Sequence, residues 1–168
     1  HLLNEKNNYW AYGAITARNL NAELHTISQS GIGIMISWFP FIMPQFYDQL
    51  SAVGDNKTQW DFSRWTPDVV VINLLQNDSW LIDREKRLQP IPSDAQRVQA
   101  YIDFVRSIRA KYPNVPIICA LGSMDAAQAN AMAADAFAEQ AVAGLLAGQD
   151  YLVIGGAKER FATLLGRV

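Results

Sequence analysis

Pro67-Asp68-Val69-Val70-Val71-Ile72-Asn73-Leu74-Leu75-Gln76-Asn77-Asp78-Ser79-Trp80 runs an apolar segment straight into a polar Asn-Asp cluster. Successive apolar, β-branched positions without alternation read as a strand covered on both faces, the condition of a parallel sheet. Asn77 and Asp78 then project from the carboxyl end of that strand, where open parallel sheets bind ligands.

Outward from this stretch, helical and strand patterns alternate, which predicts an α/β fold with a mostly parallel sheet and crossover helices. Upstream, Asn8 is placed to cap a helix from Tyr9 to Asn21 with Trp10, Ala14, Ile15 and Leu20 as its apolar stripe. Leu24 to Ser28 reads as a strand. Pro40 and Pro44 limit Met43 to Leu50 to one or two helical turns. Downstream, Ser93 with Gln96 makes a capping box, and Val98, Tyr101, Ile102, Val105 and Ile108 are spaced for one buried helix face that Pro113 closes. Val115 to Leu121 is the next strand, the alanine-rich Asp125 to Ala147 a helix, and Tyr151 to Ile154 a last strand before Gly155-Gly156.

Length and composition agree with a single domain spanning 1–168, since 168 residues of which half are hydrophobic can bury a core of their own. A net charge of -2 carries no basic footprint for nucleic acid or an anionic membrane. Arg84-Glu85-Lys86-Arg87, the densest charge cluster, reads as a solvated loop. Cys119 is the sole cysteine and lies within an apolar strand, so it reads as a buried, inert thiol. No stretch reaches the roughly 20 apolar residues of a membrane span, and no signal peptide is visible at His1. Two histidines and one cysteine without ligand spacing offer no metal site.

Several separated segments match one family pattern in order. They are Tyr9-Trp10-Ala11-Tyr12-Gly13-Ala14-Ile15-Thr16-Ala17-Arg18, Leu24 to Gly33, Met43-Pro44-Gln45-Phe46-Tyr47-Asp48, Trp60-Asp61-Phe62-Ser63-Arg64, and Pro67 to Asp78. Over roughly residues 8 to 125 the chain resembles SGNH (GDSL-like) hydrolases, most closely the second carbohydrate esterase family of deacetylases. The resemblance implies a three-layer, flavodoxin-like α/β sandwich. It also implies a serine esterase that deacetylates carbohydrate or small acyl esters through an acyl-serine intermediate, without a cofactor. Export to the periplasm or the outside follows from the same resemblance; oligomeric state does not.

In such chemistry, attack on the ester carbonyl builds negative charge on its oxygen, and fixed N–H donors stabilise that charge. Gly33 matches the family's second-block glycine, with Gly31 as the alternative register. Asn77 matches the third-block asparagine, whose amide donates to the same oxygen. Leu75-Gln76 stand where the family has Gly-Thr. Asp78 is expected to organise the loop by accepting backbone N–H bonds, and is also placed with Trp80 and Trp38 among residues facing substrate; the two indoles can stack on a sugar ring, with a core role open for Trp38.

The family's other two blocks have no match. No Gly-Asp-Ser segment precedes Tyr9 and no histidine follows Tyr112, so neither nucleophile nor base is identified. His25 reads as a packed strand imidazole and His1 as terminal. Ser123 reads as a helix cap, and Ala157 stands where a permuted first block would need serine. A paired-carboxylate glycosidase using Asp68, Asp78 and Asp83 is the competing chemistry, and a non-catalytic carbohydrate-binding or interaction domain on the esterase scaffold is the competing class. The family's first strand would lie between Leu24–Ser28 and Asp68–Leu74. The slot is expected to be filled by another segment such as Tyr151 to Ile154, by a second chain, or by residues upstream of His1.

Overall fold

The structure, a computed structural model, describes residues 7–50, 58–120 and the backbone of 151–154. The chain forms two compact units, residues 1–30 and 31–168.

In the first unit Asn7, not Asn8, is the cap: its side chain accepts the Tyr9 N–H at 2.9 Å and opens a 3₁₀ turn over Asn8–Trp10. Ala11, in an extended conformation, separates this turn from helix α1, Tyr12–Asn19. The expected continuous helix is therefore split. Its apolar stripe is not a core face either, for α1 buries no residue, and Trp10 and Leu20 are 68% and 72% exposed. Arg18 ties the two pieces together by donating to the Tyr9 carbonyl and lying 3.9 Å over its ring. Leu24 to Ser28 forms no strand. Strands exist only as paired ladders, and no described segment pairs with this one; Leu24 and Ile27 are exposed.

The second unit is built on a βαβ core. Strand β1, Val70–Asn73, pairs in parallel with β2, Ile117–Ala120, in the register Val70 to Ile117 through Asn73 to Ala120. Strand β3, Tyr151–Ile154, pairs in parallel with β2, giving the order β1-β2-β3. The expected α/β class with a parallel sheet is thus present. However, Tyr151–Ile154 lies beyond β2 and not beside β1, whose other edge has no paired strand among the described residues.

Upstream of β1, a single helical turn, α2, covers Met43–Phe46 with Pro44 in its first turn. After β1 comes one turn, α3, over Gln76–Ser79, and then the long helix α4, Asp94–Lys111. The capping box forms as its sequence predicts: Ser93 Oγ accepts the Gln96 N–H, and Gln96 Oε1 accepts the Ser93 N–H at 2.8 Å. At the other end Arg109 donates to the Pro113 carbonyl at 3.1 Å, where cations suit the helix dipole. Removing the cap by Ser93→Ala is expected to cost about 1 kcal/mol, read as a melting temperature lower by about 2–4 °C; an unchanged value would contradict this cap.

Helix α4 buries Val98, Tyr101, Phe104, Val105 and Ile108. Phe104 joins the expected face, and Ile102 is only partly buried. They pack with Ile72, Ile117 and Cys119 of the sheet and with Ile32, Ile34, Met43 and Phe46. Each such side chain contributes about 1.5–3 kcal/mol by leaving water. The expectation of a strand covered on both faces fails for β1. Side chains alternate along a strand, so Ile72 faces the core at 4% exposure while Val71, on the opposite face, is 50% exposed. Ser123, Asp125 to Ala147, Gly155-Gly156 and Ala157 lie outside the described residues.

Candidate active site

Strand β1 delivers the chain into a tight reversal. Leu75 adopts φ 89° as the residue before α3, a left-handed backbone that costs a side-chain-bearing residue about 1–2 kcal/mol. Here the family pattern has glycine, so the departure noted in the sequence carries backbone strain. It is held by Ser79 N–H donating to the Leu75 carbonyl at 2.8 Å and by the partly buried Leu75 side chain packing on the core.

The reversal points Asn77 and Asp78 at the loop 31–38. Asp78 is 2% exposed. Its Oδ2 accepts the Ile34 N–H at 2.9 Å, and its Oδ1 accepts those of Met35 and Ile36 at 2.6 and 3.1 Å. Three successive amides wrapped on one carboxylate form an anion nest. Burial pushes the Asp78 carboxyl above its ordinary range, and the backbone bonds oppose that shift. Asp78 accordingly organises this loop, with its carboxylate enclosed at 2% exposure.

Gly33 sits at the centre of the nest. A β-carbon there would overlap the Ile36 carbonyl oxygen and stand 2.6 Å from Asp78 Oδ2, so the backbone can coil this tightly only around glycine. Its N–H donates to Ser37 Oγ at 2.9 Å. Asn77 Nδ2 donates to the Ile32 carbonyl at 2.8 Å. The Ile32–Gly33 peptide is trans, so its carbonyl and N–H point to opposite sides. The Asn77 amide bonds one end of this peptide group, the Ile32 carbonyl, while the other end, the Gly33 N–H, directs its hydrogen away from Asn77 to the buried Ser37 hydroxyl. Ser37 went unnoticed in the sequence because a lone serine in an apolar run gives no pattern.

Gly31, φ 89°, is partly buried; its carbonyl accepts the Trp38 N–H at 3.1 Å. Trp38 is 47% exposed and so not a core residue; the Arg87 guanidinium lies 5.3 Å from its ring centroid. Trp80, 41% exposed, opens a π-helical turn over Trp80–Arg84, and its indole N–H donates to Glu85 at 3.0 Å. Arg84 to Arg87 are exposed, as a solvated cluster should be.

The competing chemistries find little support. Asp83 is held in a two-pronged pair with Arg97 at 2.8 and 2.9 Å, Asp78 is enclosed in the nest, and Asp68 is exposed, so the three carboxylates occupy unlike settings. His25 is exposed and pairs with Glu23 at 3.1 Å, contrary to the packed imidazole expected. Cys119 is buried at 4% exposure beside Tyr101, and burial raises its thiol, the setting of an unreactive cysteine. Among the described residues no three potential ligands gather into a metal site, and no helix is long and apolar enough to cross a membrane.

No family model matches the chain. It is 37% identical over 123 residues to the cellulase/esterase CelE of Acetivibrio thermocellus, an overlap of 71% of this chain and 14% of that protein. It is 27% identical over 130 residues to an acetylxylan esterase / glucomannan deacetylase of Cellvibrio japonicus, covering 71% of this chain and 34% of the other. In fold it is similar to a family two carbohydrate esterase from Clostridium thermocellum solved in complex with cellohexaose, with a TM-score of 0.69, 28% identity, and coverage of 90% of this chain and 45% of that one. The chain thus spans less than half the length of each.

Proposed function

From a chain whose relatives and fold neighbours are family-two, SGNH-like carbohydrate esterases, we propose that residues 1–168 contribute, as one domain, the acyl-oxygen-binding side of a carbohydrate deacetylase. Asn77 donates its side-chain amide to the oxygen, and the Gly31–Gly33 loop adds a backbone N–H. A serine alkoxide attacks the acetyl carbonyl, the donors carry the charge that develops on its oxygen, and the sugar alkoxide leaves with a proton before water releases acetate. No residue of this chain is assigned as that serine or its base. The observation that carries the reading is the lashing of the glycine loop to Asn77 and Asp78 by four hydrogen bonds, three to Asp78 and one from Asn77. A donor fixed before reaction needs no reorganisation when charge appears.

Trp38 and Trp80, each more than two-fifths exposed, are the proposed sugar-stacking surfaces. They also favour the second reading, a carbohydrate-binding domain without catalysis on the same scaffold. A polymeric glycan substrate implies a protein acting in the periplasm or outside the cell. Hydrolysis of 4-nitrophenyl acetate by the full-length natural protein tests the first reading. Asn77→Ala is expected to lower kcat by about 10²–10³-fold, the effect of one lost donor; equal rates in both proteins would refute it. Sugar binding without labelling by a fluorophosphonate would instead favour the second.

A further inference from the structure

On a chain whose net charge is -2, Arg84, Lys86 and Arg87 stand exposed within four positions of one another. The carboxylates of the same stretch do not neutralise them. Asp78 is taken by three backbone amides, Asp83 by Arg97 at 2.8 and 2.9 Å, and Glu85 by the Trp80 indole N–H at 3.0 Å. Among the described residues no carboxylate pairs with any of the three cations.

The turn that carries them is anchored by the fully buried Leu81 and Ile82, and closed by Glu85 N–H to the Trp80 carbonyl at 3.1 Å and Arg87 N–H to the Leu81 carbonyl at 2.9 Å. It brings the Arg87 guanidinium to 5.3 Å from the centroid of the Trp38 ring. A guanidinium lying over an aromatic ring keeps its edge of N–H donors for a planar acceptor, and among the described residues no hydrogen bond occupies that edge. The half-exposed indole offers a flat apolar surface for the face of a sugar ring. The fork beside it offers two parallel N–H bonds, the geometry that suits a carboxylate. A sugar bearing a carboxylate satisfies both at once.

We propose that Arg87, held on Trp38, binds the carboxylate of a uronic acid residue, so that the glycan taken by this site is an acidic polysaccharide. This rests on the reading of Trp38 as a sugar-stacking surface, and it holds whether the domain catalyses or only binds. Arg84 and Lys86 add a positive field that attracts such a chain and that salt screens.

The test is calorimetric titration of the 168-residue chain with cellohexaose, the oligosaccharide held by the fold neighbour from Clostridium thermocellum, and with cellohexaose whose C6 alcohols have been oxidised to carboxylates. The two ligands share a backbone and differ in charge. In low salt the oxidised form is expected to bind about fivefold more tightly, the scale of one exposed ion pair, and this advantage should vanish in Arg87→Gln. Arg87→Lys, which keeps the charge without the fork, should retain only part of it. Equal affinity for the two ligands, binding of neither, or an advantage that survives Arg87→Gln overturns the proposal. So does an equal loss in Arg84→Gln, which would reduce the effect to diffuse charge. 4-Nitrophenyl acetate carries neither sugar nor carboxylate, so its hydrolysis by the full-length natural protein reports on the esterase reading alone, whichever way the titrations fall.

Discussion

Asp78→Ala is expected to destabilise the fold by about 3 kcal/mol, because it strips three backbone N–H groups of their acceptor at once. The Ile34 N–H is buried, and a buried donor left unpaired costs about 1–3 kcal/mol. Those of Met35 and Ile36 are part-buried; water can reach them in the variant, so each adds about 1 kcal/mol or less. For a chain of this size the melting temperature should fall by about 6–12 °C, and circular dichroism reads it directly. A loss below about 1 kcal/mol would mean that the nest contributes no more than an ordinary surface residue.

The same residue makes a signed prediction with pH. Burial raises the Asp78 carboxyl above its ordinary value of 3.8, so the folded state holds this proton more tightly than the unfolded chain does. The stabilisation linked to it is complete below the unfolded value and is lost as pH rises through the folded one. The wild-type stability minus that of Asp78→Asn should therefore grow as pH falls from neutrality toward 4. A difference that shrinks with acid would show that the three N–H bonds outweigh desolvation.

Gly33→Ala is the second large effect, and it separates the two glycines. A methyl group at Gly33 collides with a backbone carbonyl and with the enclosed Asp78 carboxylate, neither of which can swing aside. The cost is expected at the upper end of overpacking, about 3 kcal/mol. Gly31→Ala meets the edge of a half-exposed indole that can yield by a few tenths of an ångström. Its cost is mainly the left-handed backbone, about 1–2 kcal/mol. Urea denaturation of the two variants should rank them in that order, and the reverse ranking would contradict the coiled loop around Gly33.

Much of the framework was legible along the chain. The Ser93–Gln96 box and the spacing of Val98, Tyr101, Val105 and Ile108 located α4, because caps and helix faces are set by residues three to four apart. The apolar runs at Val70 and Ile117 located β1 and β2. Where the reading failed, a partner was needed. Leu24 to Ser28 has strand composition but no ladder among the described residues, and Val71 has core composition on an exposed face.

Asn77 and Asp78 could be singled out because a polar pair after an apolar strand is a local pattern. Their partners could not. Asp78 reaches amides 42 to 44 residues earlier, and a backbone N–H leaves no mark in the amino-acid alphabet. By itself the sequence determined the strand–turn site, its two polar residues and the glycine-bearing loop, since each depends on neighbours within a few positions. Only the tertiary structure decided that Gly33 is locked beneath a carboxylate with its N–H committed to a serine, because that depends on how one peptide group is oriented between Asn77 and Ser37.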